Sequence, residues 1–147
     1  MDPTLRQFRF VVAFALALQL ILFLGDYFDA FPIPLNSRDA FAWKLFGSLL
    51  KEQYVFAVWW VWFALHLGSL VGLLLLLRPA RYFASLALGL GVLLPCWMGI
   101  QVASPTEGFV SQAYYVFYLL SIGMAFFGHT VSSRFGPARV VSVANDT

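Results

Sequence analysis

From Tyr54 to Leu77 the chain runs twenty-four residues without a formal charge. As an α-helix that run is ~36 Å long, more than the ~30 Å hydrocarbon thickness of a bilayer. Three further uncharged runs follow the same pattern: Phe10 to Gly25, Tyr82 to Thr106 and Gly108 to Ser133. Within hydrocarbon no water satisfies backbone N–H and C=O groups, so segments of this kind are constrained to be helices. The pattern predicts an all-α polytopic integral membrane protein, an antiparallel four-transmembrane-helix bundle in a single domain over residues 1–147, with spans at about 9–28, 54–77, 82–104 and 109–131.

Composition points the same way, since 61% of residues are hydrophobic and 11% are charged, too little polar surface to cover a water-soluble body. The single cysteine, Cys96, excludes an internal disulfide and a C-x-x-C motif. Basic residues set the threading, because Lys and Arg in short loops resist translocation. Arg6 and Arg9, Arg78 and Arg81, and Arg134 and Arg139 all fall on one side of a four-span chain, whereas the other side holds Arg38, Lys44 and Lys51 together with Asp26, Asp29, Asp39, Glu52 and Glu107 and is net acidic. Both termini are expected in the cytoplasm, across a bacterial cytoplasmic membrane. The net charge of +2 is accounted for by these arginines and calls for no nucleic-acid partner. The first span has the basic start of a signal peptide, but its small residues Ala13, Ala15 and Ala17 lie inside the apolar run, and Gly25-Asp26-Tyr27-Phe28 makes a poor cleavage site.

Outside the spans, Ser37 can cap a short amphipathic helix over about 38–52, with Ala42, Leu45, Phe46, Leu49 and Leu50 on one face. Such a helix lies along the outer membrane surface or caps the bundle's mouth. Trp43, Trp59, Trp60, Trp62 and Trp97 gather in the outer half, where indoles anchor at the headgroup level. Trp62 and Trp97 lie deeper than anchoring requires, which leaves an aromatic-walled cavity as an alternative to plain packing.

Polar residues inside the spans carry whatever chemistry there is, since each needs a partner or a reason in hydrocarbon. His66 is near the middle of the second span and shares a helical face with Trp59, Trp62 and Ser69. It is expected to point into protein and hydrogen-bond Gln19 or a span-four tyrosine; a proton-relay or ligand role is the other reading. The candidate ligand-binding set is therefore His66, Trp62, Trp97, Gln19, Tyr115 and Tyr118. No metal site or catalytic residue is expected. His129, the second histidine, lies far from His66 in depth, which argues against a bis-histidine haem in one chain; a shared haem, or a quinone, stays open as a cofactor. No phosphate loop, G-x-S-x-G or H-E-x-x-H motif occurs.

Small residues give the packing signal: Ala64, Gly68 and Gly72 in span two and Ala87, Gly91 and Pro95 in span three recur at helical spacing, so these helices are expected to approach closely as a hairpin. Pro95 should bend its helix.

The stretch from His66 through Gly68, Gly72 and the Arg78-Pro79-Ala80-Arg81 turn to Leu88 resembles the central hairpin of DoxX-type four-helix membrane proteins and the related horizontally transferred transmembrane domain. His66 stands where DoxX-type sequences often carry a glutamate. The resemblance implies an antiparallel four-helix bundle, sometimes the membrane partner of quinone- or thiol-linked redox enzymes. Taken together, the residues lead to a non-catalytic accessory or assembly subunit whose partners are the bilayer and other membrane subunits or further copies of itself. Two other readings stand beside it: a quinone- or lipid-binding redox partner, and a small oligomeric transporter or channel.

Overall fold

Asp2 starts the first helix by accepting a hydrogen bond from the Thr4 amide at 2.9 Å, and Pro3 fits the first helical position, where its missing N–H costs nothing. In the computed structural model, which describes residues 2–28, 30, 52–98 and 104–135, this helix is α1, Pro3–Tyr27. It is followed by α2 (Glu52–Leu74), α3 (Ala80–Met98), α4 (Pro105–Phe127), the one-turn α5 (His129–Ser132) and a 3-10 turn at Ser133–Phe135. Among the described residues there is no strand. Both α1 and α4 are long and apolar enough to cross a membrane, and α2 and α3 contain shorter apolar stretches, Trp60–Leu74 and Ala80–Leu93. The expected amphipathic helix over 38–52, with Trp43, and Gln101 lie outside the described residues, as do the side chains of Trp59, Pro95, Cys96 and Trp97. The backbone of α3 continues as helix through Pro95.

The helix limits differ from the uncharged runs for local reasons. Arg6 and Arg9 sit on α1 itself, exposed, so the helix is two turns longer than its uncharged core. α2 stops three residues before its run ends at Leu77. There Leu76 adopts φ 56°, the Leu77 amide reaches back to the Gly72 carbonyl at 2.9 Å, and the Leu76 amide bonds the Leu73 carbonyl at 3.0 Å. This is a Schellman end with leucine where glycine is usual. Pro79 follows, and Ala80 begins α3. At α4 the limit moves the other way: Ser104 and Glu107 form a reciprocal capping box at 3.1 and 3.2 Å, so Glu107 belongs to the helix's first turn. Gly128, with extended backbone, ends α4 before the expected residue 131.

α1 lies against α4 and α2, α2 against α3, and α3 against α4. Each helix sends a stripe of residues spaced by fours and threes into the shared interior: Phe8, Val12, Ala15 and Gln19 from α1; Phe63, His66, Leu70 and Leu73 from α2; Ala80, Ala84 and Ala87 from α3; Tyr114, Tyr118, Ser121 and Ala125 from α4. Such spacing is that of helices packed nearly parallel at a shallow left-handed angle. Aromatic contacts tie α1 to its neighbours. Phe14 meets Phe117 at 4.6 Å, Phe23 stacks on Phe63 at 4.7 Å, and Phe8 meets Phe135 edge-on at 6.0 Å.

Of the small residues expected to join α2 and α3, Gly72 does so most closely: a Cβ there would lie 2.7 Å from the Ala80 Cβ. Ala87 is fully buried, and a Cβ on Gly91 would lie 3.2 Å from the Trp62 indole nitrogen. Gly68 is different. It is exposed, with nothing within 4 Å of where its Cβ would stand, and Ala64 is exposed as well. Of the three small residues of α2 expected to touch α3, Gly72 does so, whereas Ala64 and Gly68 lie on an exposed stretch of the same helix.

Candidate functional site

His66 is wholly buried, as expected, and is enclosed by rings from two helices. Trp62, one turn away on α2, stands perpendicular to the imidazole at 4.3 Å between centroids; Tyr118 and Tyr114 of α4 stand nearly perpendicular at 4.7 and 5.9 Å. Perpendicular rings at these distances place an edge against a π face, the favourable geometry for aromatic pairs. The expected hydrogen bond from His66 to Gln19 or a tyrosine is not what forms. Among the described residues neither ring nitrogen has a hydrogen-bond partner.

The reason lies in register. The Tyr118 ring covers the imidazole, and its hydroxyl reaches one turn further, 2.9 Å from Ser69 Oγ and 3.1 Å from the Ala84 carbonyl on α3. Ser69 Oγ also lies 2.8 Å from the His66 carbonyl. This chain of three contacts contains only two hydroxyl hydrogens, one on each residue. Tyr118 donates to the Ala84 carbonyl while Ser69 donates to the His66 carbonyl or to Tyr118, or Tyr118 donates to Ser69 and Ser69 to the His66 carbonyl. In each arrangement Tyr118 ties α4 to a neighbour, and the small side chain at Ala84 is what lets the phenol approach the α3 backbone.

The remaining candidates divide. Trp62 lays its indole over Gly91, and Tyr115 brings its hydroxyl to the same point, 3.5 Å from where a Gly91 Cβ would be, so α2, α3 and α4 meet there. Gln19 is buried on α1, and its amide makes a long 3.5 Å contact to the Phe63 carbonyl, one turn from His66. Trp97 belongs to α3, but its side chain lies outside the described residues. Sequence reasoning passed over three participants. Ser69 was placed on the face of His66 but not among the candidate ligand residues, Tyr114 was one of several span-four tyrosines the sequence could not choose between, and the Ala84 carbonyl carries no side-chain signal at all.

Five buried polar atoms in this region have no partner among the described residues: both nitrogens of His66, Trp62 Nε1, the Tyr114 hydroxyl and Gln19 Oε1. The interior thus offers donors and acceptors beyond those the Tyr118 clasp uses. No three His, Cys, Asp or Glu side chains come together among the described residues. His129 is exposed on α5, away from His66. A porphyrin iron approaching His66 would have to displace one of the rings that enclose it.

The energetic role of His66 follows from this accounting. Replacing it by leucine removes two unpartnered polar atoms without a large change in volume, and such exchanges in a dry interior are close to neutral. We expect His66→Leu to unfold in mild detergent within about 2 kcal/mol of the wild type, since losing the unpartnered nitrogens offsets part of the lost ring contacts, and His66→Gln to be the less stable of the two, since it buries an amide with no partner beside it. A large loss for leucine that glutamine restores would instead show that the imidazole makes an essential hydrogen bond.

The chain matches no family model, and no curated protein or solved structure is significantly similar to it.

Proposed function

We propose that this chain is an integral membrane protein with four spans and cytoplasmic termini, acting as a non-catalytic accessory or assembly subunit of a larger membrane complex. One observation carries the reading: the molecule is as apolar outside as inside, and several of its polar side chains are enclosed. His66, Ser69, Gln19 and Ser121 are enclosed, whereas Phe109 and Phe127 on α4, Val61 on α2 and Val92 on α3 are 74%, 89%, 69% and 68% exposed. A water-soluble helical protein of this size does not present apolar side chains on every outward face, whereas lipid accepts them. The enclosed polar groups serve to hold helices together, with the Tyr118 clasp as the clearest case, and the resemblance of the hairpin to DoxX-type proteins points to the same architecture.

Two measurements test this. A reporter fused after Thr147 should be cytoplasmic and one inserted near Pro105 should be outside, because the flanking arginines dominate threading. Extraction in mild detergent should bring down membrane subunits with the chain. An external C-terminal reporter would defeat the four-span reading.

A second reading is favoured by the unpartnered atoms around His66: a quinone- or lipid-binding redox partner, in which a hydrogen-bonding headgroup takes up the Trp62, His66 and Tyr114 groups after a ring moves aside. The absorbance spectrum and organic extract of the purified protein decide it, since a bound quinone or haem is visible in one or the other.

A further inference from the structure

On an exposed side of the α2–α3 hairpin the structure holds a groove of about 270 Å³. Ala64, Gly68 and Gly72 form its floor, Phe83 one wall, and Leu77 and Pro79 its end at the turn. The floor is bare because its residues are small, and Gly68 has no neighbour within 4 Å of a Cβ position. Its length is set by the helix: from Ala64 to the end of α2 at Leu74 is ~15 Å, half the ~30 Å hydrocarbon thickness. That is the depth of one leaflet. The shallow end is flanked by charge, since Leu77 and Pro79 stand on either side of the exposed Arg78.

We infer that this groove holds one acyl chain of an anionic phospholipid, with the phosphate at Arg78 and the chain lying along Gly72, Gly68 and Ala64. The inference rests on the membrane reading above and adds a ligand to it. Three features select this occupant. The lining is apolar almost throughout, with the Ser69 hydroxyl already engaged by Tyr118. The groove starts at the membrane boundary that the arginines mark and ends at mid-depth, as a single leaflet's chain does. Arg78, exposed between the lining residues Leu77 and Pro79, matches a phosphate in charge. A helix of a second copy would have no need of the charge, and would cross the groove toward the opposite boundary.

The full chain, delipidated in mild detergent and reconstituted into vesicles of mixed phosphatidylglycerol and phosphatidylcholine, provides the test, with retained lipid read by native mass spectrometry after re-extraction. The wild type should keep phosphatidylglycerol in preference to phosphatidylcholine. Gly68→Leu fills the groove from a position where a side chain meets nothing, so it should fold normally and lose the retained lipid. Ala64→Leu, also exposed, repeats the test should the first variant be poorly folded. Arg78→Gln should lower retention of phosphatidylglycerol roughly fivefold and leave phosphatidylcholine unchanged. Retention by folded Gly68→Leu and Ala64→Leu at the wild-type level would overturn the inference. So would a wild-type dimer that Gly68→Leu converts to monomer, which would give the groove to a second copy. A chain that fails to enter vesicles at all overturns the membrane reading itself, and is told apart by its recovery outside the lipid fraction.

Discussion

Replacing Tyr118 by alanine should cost this protein roughly 3–5 kcal/mol of stability, the range for deleting a large aromatic from a packed interior. Tyr118 is fully buried, its ring covers His66, and its hydroxyl reaches Ser69 on α2 and the Ala84 carbonyl on α3. Tyr118→Phe separates the two contributions. It keeps the ring and removes only the hydroxyl, and Ser69 can still donate to the His66 carbonyl, so no buried group is newly orphaned. About 1 kcal/mol is expected for the phenylalanine variant, in keeping with single interhelical hydrogen bonds. Unfolding midpoints in mixed detergent would measure both. Equal losses for the two variants would mean that the clasp, and not the packing of the ring, holds α4 in place.

Gly72→Leu should be the most damaging change in the hairpin, whereas Gly68→Leu, one turn away, should leave the fold intact. A Cβ on Gly72 would stand 2.7 Å from the Ala80 Cβ, both residues are buried, and the Schellman end of α2 takes the Gly72 carbonyl as an acceptor, so neither backbone can withdraw without opening the turn. Overpacking of this kind costs roughly 1–3 kcal/mol where neighbours can adjust and more where they cannot. The midpoint of unfolding and the yield of folded protein would both fall for the Gly72 variant. If Gly68→Leu proved equally harmful with no lipid or partner present, the helices would have to be closer along their length than they are here.

These two glycines also show how far the sequence could be read. Four-residue spacing puts Gly68 and Gly72 on one side of α2, and nothing in the residues themselves says that Gly72 meets α3 and Gly68 does not. That depends on how α3 lies across this face of α2. The ends of the helices were legible only where side chains encode them: Ser104 and Glu107 carry a capping box in plain view, but the stop at Leu74 rests on Leu76 in a left-handed conformation that leucine does not advertise.

The interior was legible for an unusual reason. Hydrophobic periodicity usually marks the buried face, but here the outward faces are just as apolar, so that signal is nearly flat. What marks the inside is the exception to greasiness. Gln19, His66 and Tyr118 stood out as polar residues in apolar runs, and all three are buried. Their pairing was not legible. Whether His66 meets Tyr118 by ring or by hydrogen bond depends on the height of α4 relative to α2, to within less than one turn, and the connecting residues do not fix that height. The Trp62 indole over Gly91 is a similar case, since the glycine announces space but not its occupant.

The order of contact between helices bears on how the chain is made. α2 and α3 are joined by a five-residue turn and can pair as soon as both have left the ribosome. α1, though first to be synthesised, finds its main neighbour in α4, the last, and Phe135, beyond α4, returns to pack on Phe8 near the very start. During biosynthesis Phe14 and Phe8, which pack on Phe117 and Phe135, therefore wait beside an incomplete assembly until α4 and the turn after it arrive. Newly made chains interrupted after α3 would expose that waiting surface, giving quality-control proteases a way to distinguish an unfinished protein from a finished one.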